Sequence, residues 1–163
     1  MNLNPSAAIM VACVAGLLLA PAQARAQNRV VDSDKAQAVA AMVDRAAQLL
    51  RERGPAALDD FRKPDSQWMH DDTYLFIDTT DGTVLFHAVR PQMEGRNVLD
   101  QKDSAGKAFH HVIRERLRDA DSAWVDYMYP KPGQTKMSTK WAYVRKVEFE
   151  GQLCWIGSGV YLD

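Results

Sequence analysis

Cysteine is nearly absent from this chain of 163 residues, which carries only Cys13 and Cys154. Cys13 falls in a segment that reads as an export signal, so one thiol would remain after processing and no intrachain disulfide could form. Cys154 stands among Leu153, Trp155 and Ile156, the setting of a buried inert thiol rather than a nucleophile. No Cys-x-x-Cys-His occurs, so covalent haem is excluded. An excess of one charge is lacking too. Lys and Arg number 20 against 21 Asp and Glu, which leaves no basic surplus to hold nucleic acid or an anionic membrane. Internal repeats and low-complexity tracts are missing.

Long apolar runs are limited to one, Ala7 to Ala20 (AAIMVACVAGLLLA), shorter than the ~20 residues a membrane helix needs. Pro21 follows it, and Ala24 and Ala26 supply the small residues a signal peptidase requires. Residues 1–26 are therefore expected to be a signal peptide cut before Gln27, with 27–163 forming one periplasmic domain. Retention of the run as an uncleaved anchor stays open, because Met1 to Ser6 holds no Lys or Arg.

What is present is a change of period. Asp32 to Arg53 places Ala36, Val39, Ala40, Val43, Ala47 and Leu50 on one helical stripe, with Asp32 or Ser33 as cap and Gly54 as terminator. Pro55 opens a short second helix through Leu58 and Phe61. Tyr74–Asp78 and Val84–His87 then alternate about Asp81-Gly82, a hairpin signal. A loop from Ala88 to Asn97 leads to a helix expected from Asp103 or Ser104 to Arg118. Three strands follow: Ala123–Tyr129, Lys140–Phe149 and Leu153–Tyr161, the last two joined at Glu150-Gly151. This order predicts an α+β domain with an antiparallel sheet of about five strands. The long helix should cover one face, and loop 88–100 with the following helix should roof a cavity on the other.

The pieces YLFID with Asp81-Gly82, His87, Pro91, Gly95-Arg96-Asn97, Asp100, Asp103, Gly106, Val125-Asp126-Tyr127, Pro130-Lys131-Pro132-Gly133, Lys140, Tyr143-Val144 and Trp155-Ile156-Gly157-Ser158-Gly159-Val160-Tyr161 stand in register over Tyr74–Asp163. In that order they resemble the single Cache domains of the second type, extracytoplasmic relatives of PAS domains found in bacterial receptors. The resemblance implies a PAS-like sheet with a long N-terminal helix, and recognition of small molecules, often short carboxylic acids. The chain departs from the family at Ala88, Tyr129 and Trp141-Ala142, where the family commonly has Pro, Trp and Ser. Receptors of this kind run on into a membrane helix and an output domain, whereas this chain stops at Asp163, so a signal would pass to a separate membrane receptor or kinase partner.

A carboxylate pocket needs a few convergent donors in an apolar hollow, because an unpaired buried anion is costly. The candidates are Tyr74, His87, Arg90, Tyr127, Lys140 and Tyr143. Tyr127 must face away from Trp124, Asp126 and Met128. Lys140 and Tyr143 have opposite strand parity, so both line one pocket only if Lys140 precedes the strand or a bulge intervenes. Asp126 either holds a ligand's amino group or pairs with a basic neighbour, and Asp78, Asp81 and Gly82 are assigned to turn geometry. No metal or cofactor is expected: His110 and His111 point about 100° apart on a helix, and His70-Asp71-Asp72 reads as solvated loop. Gly157-Ser158-Gly159 lies within a strand and lacks the context of a nucleophile elbow. The reading is a non-enzymatic sensor module for a carboxylate or amino acid. A small periplasmic enzyme and an assembly protein with a degenerate pocket are the alternatives.

Overall fold

The computed structural model describes residues 29–162, so the expected signal peptide lies outside the described residues. Helix α1 (Asp34–Arg53) starts where the Ser33 hydroxyl accepts from the Ala36 N–H at 3.3 Å. It ends at Gly54, whose φ of 56° lets the cap N–H return to the Leu50 carbonyl at 2.8 Å. Helix α2 (Ala56–Phe61) follows at once, led by Pro55 as its cap. Among the described residues, no helix is long and apolar enough to cross a membrane.

Five strands form one antiparallel sheet: β1 (Phe76–Thr79), β2 (Val84–His87), β3 (Ser122–Pro130), β4 (Met137–Phe149) and β5 (Gln152–Leu162), in the order β2-β1-β5-β4-β3. Glu150 and Gly151, both with positive φ, make the tight turn between β4 and β5. The edge of β3 is covered by the 103–107 loop. There Asp103 accepts from the Met128 N–H at 2.8 Å, and the Lys107 ammonium donates to the Asp126 carbonyl at 2.6 Å and carboxylate at 2.8 Å. Asp126 thus pairs with a basic neighbour.

Helix α3 (Phe109–Arg116) is shorter than its periodicity predicts. Asp103 Oδ1 accepts from both the Ala105 and Lys107 N–H groups, and Gly106 adopts φ 83°, so residues 103–107 close an Asx-type turn instead of a first helical turn.

The two faces of the sheet are distinct. Helix α1 lies across β4 and β5, burying Ala36, Val39, Val43 and Leu50. Asp44 pins it to the sheet by accepting from Arg145 at 3.0 Å and from the Tyr143 hydroxyl at 3.2 Å. The opposite face meets α3 and the loop from Ala88 onward, and the polar side chains converge there.

Candidate functional site

Strand parity builds the site. On β5, Trp155, Gly157, Gly159 and Tyr161 share the face away from α1. The two glycines make this face concave. A Cβ at Gly157 would stand 2.5 Å from the Phe76 ring, and one at Gly159 would stand 2.7 Å from Lys140 Cε. Tyr74, Phe76 and Asp78 take the same face from the neighbouring segment, and Tyr127 and Tyr129 take it from β3. A β-bulge lets β2 contribute twice: His87 pairs with Phe76 and Val84 with Asp78, leaving Leu85 as the extra residue.

Tyr74, Phe76, Asp78, Val84, His87, Tyr127, Tyr129 and Lys140 line a cavity of about 30 Å³, with Met93, Val98, Gln101, Phe109 and His110 from the roof. At ~10–15 Å³ for each water, that is room for about two water-sized groups in the ligand-free protein.

Lys140 lies at the centre, 1% exposed. Its ammonium donates to the Tyr74 hydroxyl at 2.9 Å, and the tyrosine chain continues to Tyr161 at 3.1 Å and the Pro130 carbonyl at 3.0 Å. Lysine has three N–H donors, and among the described residues the other two meet no oxygen acceptor. Ring faces surround them instead, from Tyr74 at 4.2 Å and Phe76 at 5.1 Å to Tyr129 at 5.4 Å. Among the described residues no carboxylate reaches ion-pair distance of the Lys140 ammonium. Burial, with Arg90 nearby, pulls the ammonium down to about 7.

His87 lies between the rings of Tyr74, 5.2 Å away, and Tyr129, 6.4 Å away, with the Tyr129 hydroxyl 3.4 Å from Nε2. Its Nδ1 is buried without a partner. Burial, then the charges of Lys140 and Arg90, push its pKa to about 3, so the ring is neutral. The His87 main chain is fixed by Glu94, which accepts from its N–H at 3.0 Å and from Arg62 at 2.8 Å.

Asp78, which lines the same cavity, is 3% exposed. It accepts from the Trp155 indole N–H at 3.0 Å and stands 3.8 Å from His110 Nε2. Burial raises its carboxyl to about 7. His110 is lowered to about 4, chiefly by burial, and its Nδ1 also lacks a partner.

Of the six candidates read from the sequence, Tyr74, His87, Tyr127 and Lys140 line this one cavity. Arg90 stands at the rim: its guanidinium lies 4.9 Å from the Tyr129 ring and faces an adjoining cleft of about 140 Å³ shared with Met93 and Gln101. Tyr143 is a correction. β4 runs through Lys140 and Tyr143 with unbroken register, Lys140 opposite Tyr127 and Tyr143 opposite Trp124, so the two face opposite ways. Tyr143 belongs to the α1 face, against Trp124 and Asp44.

Asp78 corrects the turn assignment in the other direction, since it is a strand residue facing the cavity, and the turn is made by Thr79, Asp81 and Gly82. Phe76, Phe109, His110, Tyr129 and Tyr161 were also missed as site residues. For Phe76 and Tyr161 a signal existed, since strand parity sets them beside Tyr74 and Gly159. For Phe109 the helical stripe was a signal, since it sets Phe109 with Ile113 on the buried side of the roofing helix, whereas for His110 there was none.

A family model described as a Cache domain matches residues 61–163. The methyl-accepting chemotaxis protein McpP of Pseudomonas putida is 30% identical over 94 residues, 58% of this chain. That stretch is 17% of McpP, so the chain spans only a small part of its relative.

Among solved structures, a methyl-accepting chemotaxis protein of Vibrio parahaemolyticus superposes with a TM-score of 0.70 at 20% identity, covering 86% of this chain and 96% of that one. A Cache chemosensory domain described for its carboxylic acid recognition gives 0.66 at 23% identity, covering 86% and 97%. A periplasmic sensor domain of a chemotaxis protein gives 0.60 at 24%, covering 87% and 97%. At such identities the structural likeness establishes the fold.

Proposed function

The chain belongs to the Cache domain family, and from that premise we propose that it is an exported sensor module whose cavity holds a small carboxylate and reports it to a membrane-borne partner. One observation carries the reading: the buried Lys140 ammonium has two unused donors and no carboxylate at ion-pair distance among the described residues. An unpaired buried cation is costly, and a guest anion is the partner that would relieve it. The Tyr74 hydroxyl orients the ammonium, while the apolar rings around it exclude water and strengthen the attraction. The neutral His87 ring, with its unpartnered Nδ1, offers a second hydrogen bond. The solved relative described for carboxylic acid recognition supports the same ligand class. Relay to a receptor or kinase is argued from the chemotaxis proteins to which the chain is similar. Periplasmic placement is argued from the N-terminal apolar run and the periplasmic sensor domain among the structural neighbours.

A thermal-shift screen of short organic acids, amino acids and amines tests this. A guest that binds only the folded state raises the melting temperature, by an amount equivalent to about 2.7 kcal/mol at a hundred times its Kd. The shift should appear with short carboxylates and vanish in Lys140→Ala and in His87→Ala. Absence of any shift in the wild-type protein would leave the assembly reading in its place, and turnover of an acid that stops on removing one side chain would leave the enzymatic one.

A further inference from the structure

Asp78 and Lys140 line the same cavity from different levels of the sheet: Asp78 pairs with Trp155 on β5, and Lys140 pairs with Tyr161. A guest carboxylate on Lys140 would leave Asp78 as a second anion with no cation of its own. We infer that Asp78 is a charge-selecting residue: it holds a proton while the guest is bound, so the cavity admits a monocarboxylate and turns away dicarboxylates and zwitterionic amino acids. This rests on the carboxylate reading and adds to it the identity of the group facing the guest's other end.

The argument is one of charge balance. Lys140 and Asp78 between them are neutral whether the proton sits on one or the other. Adding one guest anion brings the site to neutrality only if both are protonated. A dicarboxylate would bury an additional charge with no partner, which the low-dielectric cavity opposes.

An amino acid offers an alternative balance, with its ammonium against an ionised Asp78. The walls beside Asp78 oppose that arrangement. Val84, the strand partner of Asp78, gives an ammonium no acceptor, and Asp78 Oδ2 already accepts from the Trp155 N–H at 3.0 Å, which leaves the neutral His110, 3.8 Å away, and Gln101 as the polar groups of the roof. Burial favours the neutral acid at Asp78, and the Lys140 charge and the Trp155 N–H oppose it without overcoming it. His110 on α3 and His87 on β2 are both held neutral, and Tyr127, Tyr129 and the Cys154 thiol are all raised, so among the described residues Lys140 is the one cation lining the cavity. Burial raises Asp78 to about 7, which places its neutral form within reach at ordinary pH.

The experiment uses the full chain with ¹³C-labelled aspartate and propionate as probe, the Asp78 resonance being the one lost in Asp78→Asn. Propionate should move the Asp78 titration upward by about one pH unit or more. Asparagine keeps an acceptor for Trp155 and cannot ionise, so in Asp78→Asn propionate affinity should fall less steeply than in the wild type as pH rises from 6 to 8, whereas succinate and alanine should bind the wild type about a hundredfold more weakly than propionate does. Asp78 remaining ionised in the propionate complex overturns the inference, and if the variant unfolds this wild-type signal decides alone. A folded Asp78→Asn whose propionate affinity falls with pH as steeply as the wild type's, or alanine binding better than propionate, overturns it as well. In those cases the carboxylate reading still stands. If no short monocarboxylate binds the wild-type protein at all, both readings fall.

Discussion

The Lys140 side chain lies directly across Gly159 of the neighbouring strand: a Cβ there would stand 2.7 Å from Lys140 Cε and 2.6 Å from the Trp141 carbonyl oxygen. Glycine at this point leaves the space through which a strand residue reaches the middle of the cavity. Gly159→Ala would push the lysine and also meet backbone that cannot retreat. Overpacking of this kind costs about 1–3 kcal/mol, and the displaced ammonium would lose its bond to Tyr74. The expected result is a lower urea midpoint together with loss of any thermal shift from propionate. A variant as stable as wild type with undiminished binding would rule out the glycine's role.

Lys140 carries a cost in the empty protein that a guest repays. Methionine matches much of the lysine stem without the charge, and the Tyr74 hydroxyl would keep its bond to Tyr161. Lys140→Met should therefore raise the stability of the ligand-free protein at pH 6, by about 1 kcal/mol or more, while abolishing the response to carboxylates. Calorimetric melts with and without propionate measure both effects. A destabilised variant would mean that the ammonium is already satisfied within the fold.

How much of this was legible in the sequence follows from what each feature depends on. Helix α1 and its two caps, the Asp81-Gly82 and Glu150-Gly151 turns, and the five strands depend on local periodicity and turn chemistry, and they fall within a few residues of expectation. Lys140, His87, Tyr74 and Tyr127 met in one place because parity and the resemblance agreed on them. Tyr143 was included although parity opposed it, and the uninterrupted β3–β4 register leaves it on the helix side. Asp78 looked like turn chemistry because Asp81-Gly82 follows so closely. Its role depends on the bulge at Leu85 and on Trp155, far away in sequence, which alternation cannot reveal. His110 entered the site only because an Asx turn delays the start of α3.

Because Tyr74 and Tyr143 lie on opposite faces, removing their hydroxyls should separate binding from stability. Tyr143→Phe loses the 3.2 Å bond to Asp44, which Arg145 still holds, so stability should fall by no more than about 1 kcal/mol with carboxylate affinity unchanged. Tyr74→Phe removes the acceptor that orients Lys140 and should weaken propionate by about tenfold. Isothermal titration of the two variants checks the pair, and a reversal of their effects would contradict the placement of β4.

The buried histidines set the acid limit of the fold. His87 falls from 6.5 to about 3 and His110 from 6.5 to about 4, both through burial, so between these values the unfolded chain binds the protons and stability drops as pH falls. Asp78 acts in the opposite sense. Raised from 3.8 to about 7, it binds its proton in the folded state first and gains stability over that window. Two groups against one leave a net loss of about one proton's worth, roughly 1.4 kcal/mol per pH unit, as pH falls from 6 to about 4.5. Ordinary carboxylates titrate mainly below that range. His110→Asn removes one of the two histidines, so its stability should be nearly flat where the wild type declines. Urea unfolding at half-unit pH steps measures the slope, and a wild-type curve already flat there would mean that the two rings are not held neutral by the fold.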